Sequence, residues 1–202
     1  MILKKIQKEN EATIAELIAT NERINAYLEN SPDVALIEHV KEGAIFFDLV
    51  KYRTAQYKAP AFERFLTDGV GWEKVHASED RGDFIVDGEY VELKTSFTNQ
   101  AMNLNLRQIR LWQDVDKYVC IFIDDKNNIE NSYLFELTKA EMEQEVELLG
   151  GYTHGTKTAN ELNINKEYSI TISIKDKNPT FERWKENYLN NTLLNTILRG
   201  DS

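Results

Sequence analysis

The spacing of apolar residues divides the chain into a helical beginning, a strand-rich middle and a mixed final third. In the first part, apolar side chains recur every three or four positions, which is the period of one face of an α-helix. This period predicts an amphipathic helix over residues 1–30 and a second helix from about Asp33 to Tyr57. A short third helix, APAFERFL, is predicted to begin at Pro60.

Short apolar runs with polar boundaries follow, and their lengths are typical of β-strands. They predict strands over 71–77, 83–95, 117–125, 132–137 and 167–174. The run KYVCIFI is apolar at nearly every position, which is typical of a central strand covered on both faces.

Helical patterns interrupt this series of strands and follow it. Within residues 99–116, apolar residues three positions apart predict a helix after the hairpin. Thr138 and Glu141 form a capping-box pattern at the start of the segment KAEMEQEVELL. Asn178-Pro179 predicts the start of a single last helix.

The order of these elements indicates the α/β class, with a mixed central sheet flanked by helices and an N-terminal helical extension. We expect residues 1–58 to form a helical region that packs on the core or at a dimer surface. Residues 59–202 are then expected to form one domain, and the chain of 202 residues is long enough for a substantial core.

The stretch DFIVDGEYVELKT, from Asp83 to Thr95, predicts a β-hairpin, because Asp-Gly between two apolar runs is a strong hairpin signal. A two-residue turn sets Asp83 opposite Glu92, on the face of the sheet that also carries Lys94. Carboxylates opposed in this way have Cβ atoms about 5 Å apart and repel each other. A divalent cation between them would offset the repulsion, and Mg²⁺ is typically held by one or two carboxylates. The pattern therefore points to a metal centre with an ammonium group beside it.

Asp83, followed after the hairpin turn by Glu92-Leu93-Lys94, resembles the active-site motif of the PD-(D/E)xK nucleases. Within that superfamily the chain is most similar to type II restriction endonucleases. It departs from the motif at Gly82, where a proline is expected. The likeness extends over much of residues 60–125 and implies a restriction-endonuclease-like fold. It also implies Mg²⁺-dependent hydrolysis of double-stranded DNA at a specific short sequence, with Mn²⁺ as a substitute metal.

The resemblance further implies a role for each residue of the motif. Asp83 and Glu92 would bind the metal, with the backbone carbonyl of Leu93 as a third oxygen ligand. Lys94 would position a water molecule or stabilise the transition state. Glu63 is a fourth catalytic candidate, because many restriction endonucleases carry a metal-binding glutamate on the helix before the motif. Such enzymes usually act as homodimers, and a cognate DNA methyltransferase in the same system is an implied partner.

Side chains that hydrogen-bond to phosphates or base edges occur near the motif and in the long polar segment 152–165. Long polar loops of this kind are often functional. The DNA-binding candidates are Arg81, Arg107, Gln108, Arg110, His154, Thr156, Lys157 and Asn160. For each candidate taken alone, an ordinary solvated surface position remains the alternative.

A second (D/E)xK sequence, Asp124-Asp125-Lys126, runs directly into Asn127-Asn128, which is typical of a strand end that leads into a turn. No hairpin sets an upstream acid opposite Asp124. We therefore predict that this copy is a solvated charge cluster.

Composition narrows the function classes further. The formal net charge of −10 counts against DNA binding in general, although net charge does not report how charge is distributed. The single cysteine, Cys120, lies in an apolar run, which predicts a buried thiol in a reducing cytoplasm. The sequence shows no apolar run long enough to span a membrane and no signal peptide, so no membrane partner is expected.

Other functions remain open on the sequence alone. One is a repair or recombination endonuclease that nicks mismatches or resolves junctions. Another is a non-catalytic DNA-binding protein on a nuclease-like fold. A further alternative is a protein-interaction module that relies on the N-terminal helices.

Overall fold

The computed structural model describes residue 19 and residues 43–51, 54–76, 78–99, 101–153, 156–157 and 165–199. Apart from Ala19, the predicted helix over 1–30 lies outside these residues, as do the candidates His154 and Asn160. The division of the chain at residue 58 stays a prediction. Within the described part of the chain, no helix combines the length and apolarity needed to cross a membrane.

Strands and helices both contribute to the described part of the chain, which has a mixed α/β structure. The strands are β1 (Glu73–Lys74), β2 (Phe84–Val86), β3 (Glu89–Phe97), β4 (Asn103–Arg110), β5 (Lys117–Ile123), β6 (Tyr133–Thr138), β7 (Tyr152–Thr153), β8 (Thr156–Lys157) and β9 (Glu167–Ser173). The α-helices are α1 (Gly43–Val50), α2 (Ala55–Phe65), α3 (Lys139–Leu148), α4 (Pro179–Tyr188) and α5 (Asn191–Arg199).

The strands form two sheets. The first has the order β1-β2-β3-β5-β6 and is mixed, because β3 and β5 run parallel while its other pairs are antiparallel. The second has the order β4-β9-β7-β8, with antiparallel pairs. Since β4 lies between β3 and β5 in the chain, the crossover between these parallel strands passes through the second sheet.

Strand β5 separates two hydrophobic cores, as expected for a strand covered on both faces. Val119 and its neighbours on one face pack with aromatic residues of α1 and α2 and with aliphatic residues of α5. Tyr118 and Cys120 on the other face pack with β4 and β9 and with residues of α3 and α4. Cys120 is fully buried, as predicted. Successive side chains of β5 therefore serve different cores, which explains its unbroken apolar run.

The helix predicted within residues 99–116 is wrong, because this segment forms β4. The strand contains a bulge between Leu106 and Ile109, where Gln108 has a φ of +53°. The extra residue places these two buried side chains three positions apart on the same face, which imitates helical spacing. The segment forms a strand because it pairs with β9 and buries its apolar face in this conformation.

The helices differ from the predictions at two further points. Helix α2 begins at Ala55 with Thr54 as its N-cap, so Pro60 lies inside it, and the helix predicted to reach Tyr57 ends at Val50. Burial of three side chains, those of Phe62, Phe65 and Leu66, offsets a cost of about 3 kcal/mol for an interior proline. The predicted single last helix is divided into α4 and α5 at Leu189, whose backbone is extended and bridges to β6.

Candidate metal and nucleic-acid site

The hairpin has the register predicted from its turn. Phe84 pairs with Val91, and Asp87 and Gly88 occupy the turn with φ values of +53° and +83°. One step further from the turn, the Asp83 amide donates to the Val91 carbonyl at 2.8 Å. The Leu93 amide in turn donates to Asp83 Oδ2 at 2.9 Å. Two backbone-anchored contacts therefore fix Asp83 beside the centre of β3.

Glu92 and Lys94 lie on the same face of β3 and contact each other. Lys94 Nζ is 2.5 Å from Glu92 Oε1. Glu92 is only 2 % exposed, and its second oxygen, Oε2, is buried and accepts no hydrogen bond from the described residues. A buried carboxylate oxygen without a donor costs about 1–3 kcal/mol or more, because its water shell is not replaced. This oxygen is therefore available to a ligand that carries positive charge.

Asp83 carries the electrostatic consequence of this arrangement. The pKa of Asp83 is raised to about 6, first by burial and then by the charge of Glu92, while the Leu93 amide and the Lys94 ammonium act in the opposite direction. Glu63 on α2 also contributes to the increase. The three acids of the resemblance thus share one electrostatic neighbourhood, in which negative charge is crowded and partly dehydrated.

A cleft of about 710 Å³ opens beside these acids. Leu93 and Lys94 of β3, Glu63 of α2, and Arg107 and Gln108 of β4 are among its lining residues. Asp83 and Glu92 are not part of this lining, so Lys94 links the cleft to the acid pair. The β4 bulge exposes both Arg107 and Gln108, and bulges often direct side chains towards functional sites.

The remaining DNA-binding candidates are not brought together with the acids to the same degree. Arg81 donates to the Tyr90 hydroxyl at 3.1 Å and pairs with Asp114 at 3.4 Å, so it is already engaged on the hairpin. Arg110 pairs with Glu167 at 2.7 Å. The pKa of Arg110 is raised mainly by this hydrogen bond, and the charges of Glu92 and Asp83 also raise it.

Strand β8, formed by Thr156 and Lys157, lies at the opposite edge of the second sheet from β4. These two candidates are therefore separated from Arg107 and Gln108 by β9 and β7. The second sheet thus places Arg107 and Gln108 at one edge and Thr156 and Lys157 at the other.

Gly82 explains why the chain departs from the PD-(D/E)xK motif at this position. Its φ is +85°, whereas proline fixes φ near −65°. A Cβ at this position would lie 2.7 Å from the Val91 carbonyl oxygen and 2.9 Å from Val115 Cγ1. The close approach of β3 to the residue before Asp83 therefore requires glycine.

The prediction that Asp124-Asp125-Lys126 is a solvated cluster is wrong for both aspartates. Asp124 is 1 % exposed and Asp125 is 7 % exposed. Asp125 forms a buried ion pair with Lys58 of α2, which is 3 % exposed. Only Lys126 is exposed, and it lines the same cleft as Lys94. The signal available in the sequence was the position of the acids directly after a buried strand, but Thr98, which bonds Asp124, is 26 residues away and Lys58, which bonds Asp125, is 67 residues away.

The oxygen atoms at the acid pair suit a hard divalent cation as ligands. Two carboxylates and the Leu93 carbonyl offer oxygen ligands. One of these oxygens, Glu92 Oε2, is buried without a hydrogen bond from the described residues, and a bound cation would offset the cost of burying it. Within the described residues, no group of three or more His, Cys, Asp or Glu side chains is arranged to hold a metal ion. A cation here would therefore depend on backbone, water or substrate oxygens for the rest of its shell, which is common for Mg²⁺.

Comparisons with known proteins assign the chain to no family. No protein-family model matches it, and no curated protein is significantly similar to it in sequence.

Proposed function

We propose that this protein is a Mg²⁺-dependent endonuclease that hydrolyses phosphodiester bonds of double-stranded DNA at a specific short sequence, on a restriction-endonuclease-like fold. The observation that carries the proposal is the buried Glu92 Oε2, which lacks a hydrogen-bond donor within the described residues and lies on the Asp83 side of the sheet beside Lys94. A structural ion pair has no need of a second acid with a raised pKa next to it. A metal-assisted hydrolase needs this arrangement.

Asp83, Glu92 and the Leu93 carbonyl would hold the metal. Bound Mg²⁺ would supply Lewis acidity to the scissile phosphate and increase the acidity of a water molecule. The Leu93 amide keeps Asp83 in place through Oδ2, which leaves Oδ1 as the coordinating atom. Glu63, on the facing helix, would hold a water molecule or a second cation at the cleft side of the site.

Lys94 carries the role that links the site to the substrate. Its ammonium lines the cleft and contacts Glu92 at the same time. On binding of DNA, this ammonium would donate to a phosphate oxygen and stabilise the additional negative charge of the transition state. Arg107 and Gln108 from the bulge would contact the DNA across the cleft, since Arg and Gln pair with both phosphates and base edges.

The remaining parts of the proposal concern the biological setting. We infer a cytoplasmic homodimer, since a two-fold symmetric enzyme matches a palindromic duplex site. A DNA methyltransferase encoded beside it would protect the host's own copies of that site.

The test is digestion of plasmid DNA by the purified protein with Mg²⁺, with EDTA as the metal-free comparison. Lys94→Ala should lower the cleavage rate by roughly 100-fold or more, because it removes a charged group from the transition state. Lys185→Ala is the matched control, since Lys185 pairs with Glu182 on the surface of α4, outside the cleft lining. It should leave the rate unchanged.

The products separate the proposed activity from its alternatives. Fragments of fixed length support site-specific cleavage, whereas nicks or cuts confined to junctions indicate a repair or recombination endonuclease. If the wild type leaves every DNA substrate intact in Mg²⁺ and in Mn²⁺, the protein is not an endonuclease of this kind.

A further inference from the structure

The turn that follows β5 is held by side-chain hydrogen bonds that are buried or partly buried. Asp124 Oδ1 accepts hydrogen bonds from the Thr98 hydroxyl and from the Asn127 side chain, each at 2.8 Å. The Asp124 amide donates to the Ser132 hydroxyl at 3.0 Å. These contacts tie the turn to the end of β3 and to the start of the next strand, so its backbone is fixed on both sides.

The second aspartate of the turn is anchored from the opposite direction. Asp125 Oδ2 accepts a hydrogen bond from Lys58, and Lys58 Nζ also donates to the Lys51 carbonyl at 2.8 Å. Asp125 Oδ1 is buried and accepts no hydrogen bond from the described residues. A buried ion pair with one carboxylate oxygen unsatisfied is weak support for stability, because apolar side chains of similar size often serve as well. The ion pair is therefore more readily explained as a contact that holds the turn in a defined position.

The residue that this turn presents is Lys126. It is exposed, it lines the cleft, and among the described residues no carboxylate pairs with it. Arg107, on the bulge, has the same three properties. Within the described residues, the charged side chains that line the cleft are Lys58, Lys94, Glu63, Arg107 and Lys126. Cationic side chains therefore outnumber acidic ones in the described lining, although the whole chain has a formal net charge of −10.

We propose that Lys126 binds a phosphate of the DNA strand that lies in the cleft, and that the buried pair of Asp125 and Lys58 is a positioning device for it. The inference rests on the proposed function and extends it to a residue outside the hairpin motif. Asp124-Asp125-Lys126 then acts as a platform that presents one ammonium, and takes no part in the chemistry. An ammonium carried on a fixed backbone loses less conformational freedom when it meets a phosphate than one carried on a mobile loop does.

The experiment compares Lys126→Ala with Lys166→Ala, which removes an exposed lysine outside the cleft lining. Steady-state cleavage of plasmid DNA should show a KM raised roughly fivefold to tenfold for Lys126→Ala, with kcat changed by less than about twofold. Binding of a fluorescent random-sequence duplex in EDTA should lose about one unit of the slope of log Kd against log salt, as expected for one phosphate contact. Lys126→Arg should restore both values.

A second variant tests the positioning device without leaving a buried charge. Lys58→Met combined with Asp125→Leu replaces the ion pair by apolar groups, and its stability should equal or exceed that of the wild type. It should nevertheless raise KM, and adding Lys126→Ala to it should raise KM by much less than Lys126→Ala does alone. If Lys126→Ala raises KM by the same factor in the double variant as in the wild type, the ion pair does not position Lys126.

Failure of this inference and failure of the proposed function give different results. If the wild type cleaves DNA and Lys126→Ala matches Lys166→Ala in KM and in salt dependence, Lys126 contacts no phosphate and the nuclease proposal stands. If the wild type neither cleaves nor binds duplex DNA, both fall.

Discussion

Replacement of Asp83 by asparagine should stabilise the protein in the absence of metal while it abolishes the proposed cleavage of DNA. The Leu93 amide donates to Asp83 Oδ2, and an asparagine oxygen accepts the same hydrogen bond. The asparagine NH₂ group then faces the region of Glu92, whose Oε2 lacks a donor within the described residues. The variant therefore keeps the backbone contact and removes the repulsion between two carboxylates.

The size of the effect follows from the pKa of Asp83. Burial and the charge of Glu92 raise it from 3.8 to about 6. At about 1.4 kcal/mol per pKa unit, this difference corresponds to roughly 3 kcal/mol that the ionised side chain costs the folded state. Because the folded state holds the proton more tightly than the unfolded chain, the contribution of Asp83 to stability is fully present below pH 3.8 and is lost as the pH rises through about 6.

Urea unfolding in EDTA, repeated across this pH range, measures the prediction. Asp83→Asn and the wild type should be equally stable near pH 4, and the variant should be more stable by roughly 3 kcal/mol above pH 7. Asp114→Asn is the control, because the Asp114 side chain is 81 % exposed and its pair with Arg81 should contribute little. A variant that is no more stable than the wild type at neutral pH, or whose advantage is the same at every pH, would refute the reasoning.

Three further predictions concern the metal, the hairpin and the buried acid of α3. Mg²⁺ at about one hundred times its Kd should stabilise the wild type by roughly 2.7 kcal/mol in thermal scans, and should have no such effect on Asp83→Asn or Glu92→Gln. Gly82→Ala should cost about 2–4 kcal/mol in urea unfolding, because its Cβ meets the neighbouring strand and its φ is +85°. Glu145 is buried, and hydrogen bonds from Arg183 and two aromatic side chains hold its pKa below the ordinary 4.5 despite its burial. The contribution of Glu145 to stability is therefore present above pH 4.5 and is lost as the pH falls below that value. Glu145→Gln should lower the free energy of unfolding at pH 7 by about 2 kcal/mol, and it should make the decline in stability towards acid pH less steep.

Each of these has a clear contrary result. If Mg²⁺ stabilises the wild type and Asp83→Asn equally, the metal does not bind at the acid pair. A Gly82→Ala variant as stable as the wild type would mean that the close approach of β3 is easily relieved. If the stability of Glu145→Gln falls as steeply towards acid pH as that of the wild type, other carboxylates cause the loss of stability at low pH.

The parts of the fold that depend on local sequence could be predicted, and the hairpin is the clearest case. Asp87-Gly88 supplies the positive φ values of the turn, and the turn fixes which side chains share a face. The capping box of Thr138 and Glu141 is likewise present in both of its hydrogen bonds. In each case the residues that determine the structure are within a few positions of one another.

The parts that depend on distant contacts could not be predicted. The bulge in β4 places buried residues at a helical spacing, and only pairing with β9 distinguishes the two structures. The burial of Asp124 and Asp125 depends on Thr98 and Lys58, which are remote in the chain. A charged strand end has no local feature that separates a solvated position from a neutralised one.

The glycine before Asp83 has a consequence for protein engineering. Consensus design replaces a residue by the one most frequent among its relatives, and such changes commonly add stability. If the PD-(D/E)xK nucleases that the hairpin resembles served as the reference, this strategy would install proline at position 82, and the proline ring cannot adopt the backbone angle found here. The substitution would break the hairpin on which the site is built, so alignment-guided libraries of this protein should hold position 82 constant.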